Sequence, residues 1–468
     1  MDEEHRIERD SLGEMRVPAD AYWGAQTQRA VENFPVSGVT FDRRFIGALG
    51  LVKQAAARAN SDLDLLDQEV ADAIDEAATE VVSGDLDDQF PVDIFQTGSG
   101  TSSNMNANEV IANRAAELLG EPIGSRAVHP NDHVNFGQSS NDVIPTAMHV
   151  AARLALDRDV IPALEDLARA LTEQAEAFDD VVKTGRTHLQ DATPVRLGQE
   201  FEGYSAQIAK ATERLDRAGE ELYELAIGGT ATGTGLNTHP EFPERVCRYL
   251  EEETGLPFRE ADDHFEAQAA HDAMAHAHGG LRTAAGSLNK IANDLRLLAS
   301  GPRNGLGEIE QPENQPGSSI MPGKINPVIA ESVNQVHKQI LGNDTTIAVG
   351  AARGELELNL YKPVLAHNFL ESARIITNVS SVFAERFVTH LEANRAWCAE
   401  QVEQSMALAT ALNPHIGYDK AADAAKTALE EGKTVREVAI EKGYVTEEEA
   451  ATILDARAMT ERGILGDR

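Results

Sequence analysis

The chain has 468 residues, 42% of them hydrophobic and 5% aromatic, and carries a formal charge of −36 from 41 basic and 77 acidic residues. That length predicts two or three folded regions with a large core, and so acidic a surface repels phosphates and excludes a DNA- or RNA-binding role. The acidic residues run along the whole chain, and arginine outnumbers lysine, as expected of a protein built for high ionic strength, where salt screens self-repulsion.

The N-terminal stretch, Met1 to Arg6, has no apolar core like that of a signal peptide, and no apolar run is long enough to span a membrane. The cytoplasm is the expected compartment. Residues 1–137 mix turns with short helices and read as an N-terminal mixed domain. Residues 138–393 change character: alanine- and leucine-rich periodic segments follow at about 143–178, 198–225, 265–300, 327–349 and 362–391. A helix of about 33 residues reaches about 50 Å, and no single domain buries such rods alone. They predict a central five-helix bundle, shared between subunits. Val160, Leu164, Leu167 and Leu171 recur at three and four residues, as a buried stripe requires. Pro162 is expected to kink or break the first rod. Residues 394–468 are shorter-ranged and more polar, and read as a small C-terminal helical domain. The two cysteines, Cys247 and Cys398, have no spacing that suggests a disulfide framework or a zinc site.

Several segments carry candidate chemistry. Ser99-Gly100-Thr101 stands just before a helix start, where free N–H groups and the helix dipole attract carboxylates; it serves equally as a Ser/Thr helix cap. His129-Pro130-Asn131-Asp132 is a turn signal, followed by Ser139-Ser140-Asn141-Asp142, which is either a second cluster of carboxylate donors or a turn with a cap. Thr187-His188 lies on a polar loop, where an accessible imidazole is a candidate acid or base. Residues 228–235 are rich in glycine but lack the spacing of a nucleotide loop, and read as a tight connection between rods. His271, His276 and His278 share a helix without the spacing of a metal pair, so no metal is expected there.

The run Gly317-Ser318-Ser319-Ile320-Met321-Pro322-Gly323-Lys324-Ile325-Asn326-Pro327 is the most informative. Its glycines and prolines suit a mobile active-site loop. Ser318 or Ser319 supplies an oxygen base, Lys324 positive charge and Asn326 a neutral donor. Such a set suits removal of a proton from carbon beside a carboxylate. Glu331, on the following helix, is either a solvated charge or the partner that orients His188.

With these motifs assembled, the chain resembles the fumarase/aspartase superfamily along nearly its full length, from Arg16-Val17-Pro18-Ala19-Asp20 to Leu358-Asn359-Leu360-Tyr361-Lys362-Pro363. More narrowly it is similar to the class II fumarases: Gly323 and Lys362 stand where the ammonia-lyase branch usually has alanine and an acidic residue. Phe136-Gly137 departs from the branch, which tends to have a polar or basic residue and then serine. The resemblance implies a mainly α, three-domain fold whose long helices form a twenty-helix core in a homotetramer, with active sites shared between three subunits. It implies reversible hydration of fumarate to L-malate, with aspartate ammonia-lyase activity as the alternative, and no cofactor or metal. Carried over by position, Ser318 is the base, His188 with Glu331 handles the hydroxyl side with Thr187 beside it, and Lys324 supports catalysis. Ser99, Gly100, Thr101, Ser139, Ser140, Asn141, Ser319 and Asn326 bind the substrate carboxylates. Arg126, His129, Pro130, Asn131 and Asp132 form a secondary anion site.

Overall fold

The computed structural model describes residues 5–466. Residues 1–4, part of the stretch read as lacking a signal peptide, and the last two residues of the 394–468 segment lie outside them. A hairpin of β1 (His5–Asp10) and β2 (Gly13–Pro18) opens the described chain. Then come α1 (Ala25–Asn33), α2 (Arg43–Asp62) and α3 (Gln68–Ser83). Asp42 and Asp67 cap α2 and α3 by accepting N–H bonds from Arg44 and Glu69. The Glu109 carboxylate collects the N–H groups of Gly24, Gln26 and Thr27 at the start of α1. Helix α4 (Thr101–Leu118) is buried along most of its length.

The first rod comprises α5 (Ser140–Ala155) and α6 (Ile161–Ala177), joined by one π-helical turn, Leu156–Val160. The expected break at Pro162 does not occur. The Ile161 N–H bonds Leu156 O, five residues back, and this wider turn carries the backbone into α6, where the proline occupies the second position. The stripe Val160, Leu164, Leu167, Leu171 is fully buried.

Strands β3 (Val182–Thr187) and β4 (Gln190–Arg196) form a second antiparallel hairpin. Then follow α7 (Leu197–Ala218), α8 (Phe242–Thr254), α9 (His264–Ala269) and α10 (Asp272–Leu298). The segment expected at 265–300 is therefore two helices. Ala270 is extended, and α10 restarts with Asp272, an acidic residue suited to a helix N-terminus. The last two rods are α11 (Val328–Ala351) and α12 (Lys362–Arg386). Helices α13 (Arg395–Gln404), α14 (Asn413–Ile416), α15 (Tyr418–Glu431), α16 (Val435–Glu441) and α17 (Glu447–Ile453) complete the 17 helices among the described residues. Capping boxes at Thr434/Glu437 and Thr446/Glu449 start α16 and α17, which pack around Leu408, Leu412, Ala424 and Leu454. The fold is mainly α.

The chain forms two compact units. One comprises Met1–Pro162, Glu213–Ala285 and Lys338–Thr377; the other comprises Ala163–Thr212, Gly286–His337 and Asn378–Arg468. Among the described residues no helix is long and apolar enough to cross a membrane.

Candidate active site

In the first unit, Ser99-Gly100-Thr101 forms the approach to α4. A side chain at Gly98 would put Cβ 2.0 Å from Leu360 O, and Gly100 has φ +79 with Ile144 against it, so both positions need glycine. The Ser99 and Thr101 hydroxyls bond each other at 2.7 Å. Ser139 caps α5: its Oγ accepts from Asn141 N, while Asp142 Oδ1 accepts from Ser139 N at 2.9 Å. Ser140 Oγ accepts from Asn104 Nδ2 at 2.9 Å, and Asn141 Nδ2 donates to Ala231 O at 2.8 Å. The other Asp142 oxygen accepts from Gly228 N and Thr230 N. The glycine-rich connection thus turns its N–H groups onto a carboxylate of its own chain. Gly137, at φ +70, makes the turn before Gln138, and Phe136 O accepts from Asn60 Nδ2.

Two lysines lie buried in the same unit. Lys53 Nζ donates to Asn135 Oδ1 and Gln138 Oε1, each at 2.9 Å, and Lys362 Nζ donates to Asn141 O at 3.2 Å. Burial pulls both amines down to about 7, while Asp142 draws them up. Burial raises Asp142, against the pull of its three N–H donors. Residues Pro130–Val134 form a π-helical turn whose N–H groups at Asn131 and Asp132 point to His129 Nδ1. Arg126, exposed at φ +58, donates to Arg9 O.

In the second unit, His188 and Leu189 are the two tip residues of the β3–β4 hairpin, at φ +56 and +60. A two-residue turn with both φ positive normally selects Asn and Gly, so a histidine and a leucine there are strained. The strain is held by buried charge at the hairpin base. Glu308, fully buried, accepts from Arg186 Nη1 at 2.6 Å and lies 3.2 Å from Lys183 Nζ, which also pairs with Glu200 at 2.9 Å. Thr187, His188, Leu189 and Gln190 project as an exposed tip.

The serine loop of this unit is closed on itself. Gly317 N donates to Lys324 O at 2.9 Å, and Asn326 Nδ2 donates to Gly317 O at 2.6 Å. Ser318 Oγ accepts two backbone N–H bonds, from Ile320 at 3.2 Å and Met321 at 3.0 Å. Ser319 and Lys324 are exposed, and a cleft of about 850 Å³ beside the loop is lined by Lys324, Asn326, Arg296 and Glu310. Glu331 lies in the first turn of α11. Among the described residues, the side chains of His188, Lys324 and Glu331 make no hydrogen bond or ion pair within the chain, so the expected His188–Glu331 pair does not form inside one subunit.

Among the described residues no three His, Cys, Asp or Glu form a group able to hold a metal ion. His278 bonds Asp344 and Ser372, each at 2.9 Å, and His271 is buried with neither ring nitrogen partnered. Of the supporting charges, Lys362 lay in a motif that marks the branch but was given no role, and Lys53, Lys183, Glu200 and Glu308 were not singled out. Two had a signal. Lys53 interrupts the apolar run Leu49-Gly50-Leu51-Val52, and Lys362 opens a helix against the dipole, where a cation is disfavoured.

The mainly helical fold and its serine loop are those of a lyase. The family model described as "Lyase" matches residues 13–342, and that described as "Fumarase C C-terminus" matches residues 408–461. The chain is 73% identical over 465 residues to a class II fumarate hydratase of Halobacterium salinarum, covering 99% of both chains. It is 54% identical to that of Thermus thermophilus, over 95% of this chain and 96% of the relative. The crystal structure of a class II fumarase from Schistosoma mansoni superposes with a TM-score of 0.95 at 41% identity, covering 98% of this chain and 99% of that one. The chain belongs to the lyase family, in its class II fumarate hydratase branch.

Proposed function

We propose that the protein catalyses the reversible hydration of fumarate to L-malate, by anti elimination or addition of water through an aci-carboxylate carbanion. The observation that carries the mechanism is the pair of N–H bonds received by Ser318 Oγ. A free serine is a feeble base; two backbone donors stabilise its alkoxide in the way an oxyanion hole stabilises developing charge. Ser318 removes the C3 proton of malate. The electron pair left on carbon delocalises into the adjoining carboxylate, held by Lys324 and Asn326. His188, with Thr187 beside it and Glu331 as its orienting partner, serves the hydroxyl leaving C2. Ser99, Gly100, Thr101, Ser139, Ser140, Asn141 and Ser319 receive the two carboxylates. Arg126 and His129 to Asp132 form a secondary anion site.

The working form is a homotetramer with a twenty-helix core, each site drawing on three subunits, and its compartment is the cytoplasm. The unpaired side chains of His188, Lys324 and Glu331 support that reading, because each awaits a partner from outside its own chain. The chain divides functionally into 1–137, 138–393 and 394–468. Purified protein fed L-malate or L-aspartate, with fumarate followed by its ultraviolet absorbance, tests the assignment. Malate turnover without aspartate turnover is expected; turnover of aspartate alone would refute it in favour of an ammonia-lyase.

A further inference from the structure

Beneath the turn that carries Ser139, Ser140 and Asn141, buried charge does not balance. Lys53 and Lys362 are both fully buried, and Asp142 is the carboxylate that acts on each. Asp142 spends its oxygens on the N–H groups of Ser139, Gly228 and Thr230. Among the described residues neither lysine forms an ion pair; both donate only to neutral oxygens. The imidazole that faces Lys362 is His271, buried with both nitrogens unpartnered; His149, whose Nδ1 meets Glu224 O, acts in turn on His271, and burial keeps both imidazoles from charging. With both lysines protonated, two cations face one anion.

Both lysines reach the turn. Lys362 holds the Asn141 carbonyl directly. Lys53 acts through Asn135 Oδ1, which also accepts from Asn104 Nδ2 at 3.2 Å, and Asn104 in turn donates to Ser140 Oγ. Resting on the hydratase reading for its ligand, we propose that Lys53 and Lys362 are positioning residues whose missing counter-charge is the substrate dianion, so that binding a dicarboxylate draws protons from solvent into the site. An arriving anion in a low-dielectric surrounding favours the charged form of a nearby amine. Burial leaves both amines at about 7, poised to respond.

The test is calorimetric titration of the native assembly with succinate, a four-carbon dicarboxylate with no hydroxyl to lose, in buffers of different ionisation heat. Uptake on the order of one proton per site is expected at about pH 8, and almost none at about pH 6, where the lysines are already charged. Lys362→Met cuts the uptake at about pH 8 by at least about half and raises KM for malate by about tenfold, more than it lowers kcat. Lys53→Met also lowers the uptake. Succinate binding without proton uptake in the wild type, or uptake undiminished in both lysine variants while malate still turns over, overturns this inference alone. Failure of the wild type to bind succinate or turn over malate overturns the hydratase reading with it.

Discussion

Gly317→Ala is the sharpest test of the serine loop. An alanine Cβ there would lie 2.3 Å from Lys324 O, 2.9 Å from Lys324 C and 3.0 Å from Asn326 N, where ordinary contact begins near 3.4 Å. The obstacle is backbone and cannot swing aside, so the two strands of the loop must part by about 1 Å at the Gly317 N–H···Lys324 O bond. That bond and Asn326 Nδ2···Gly317 O set the relative places of Ser318, Lys324 and Asn326, so all three move together. A displacement of about 1 Å at reacting groups costs on the order of 10²-fold in rate. Stability should change little, since most of the loop is exposed and the two bonds contribute about 1 kcal/mol each. Gly323→Ala is the companion. Nothing lies within 4 Å of its Cβ, and its φ of +77 costs only about 1–2 kcal/mol of local strain. The assay is malate turnover followed by fumarate absorbance, alongside thermal unfolding of both variants. Gly317→Ala with kcat within about twofold of the wild type would refute the argument that this closure aligns the loop.

Ser318→Ala is expected to lower turnover by at least about 10²-fold while malate still binds, and near-normal turnover would remove the serine from the chemistry. Lys324→Met should raise KM and slow the chemical step together; a change in stability alone would make the lysine structural. Glu308→Ala strands Lys183 and Arg186 beneath the His188 hairpin and should cost about 3–5 kcal/mol in denaturant unfolding, whereas a loss under about 1 kcal/mol would mean that the cluster is hydrated. Lys53 and Lys362 are held at about 7 when folded, against 10.5 for an ordinary lysine, so between those values the unfolded chain binds more protons. Stability of the substrate-free protein should therefore rise with pH from about 7 towards 10, and Lys53→Met with Lys362→Met should flatten the rise. Refolding yield and activity should increase from dilute buffer to roughly molar salt, as the charge of −36 is screened; a peak in dilute buffer would contradict it.

Much of this protein was legible locally. The five rods declared themselves through apolar spacing, because a helix repeats its buried face every three to four residues whatever it packs against. The cap at Ser139 and the glycine-bounded loop around Ser318 are short-range devices whose partners lie within ten residues. The π-helical turn before Pro162 and the break at Ala270 depend on which backbone groups the surroundings satisfy, and spacing does not report that. The buried charges lay further out of reach. Lys53 on α2, Asp142 on α5 and Lys362 on α12 lie far apart in the sequence. They become a single electrostatic unit only when the tertiary fold removes water from around all three, and burial rather than identity then decides how strongly each holds its proton.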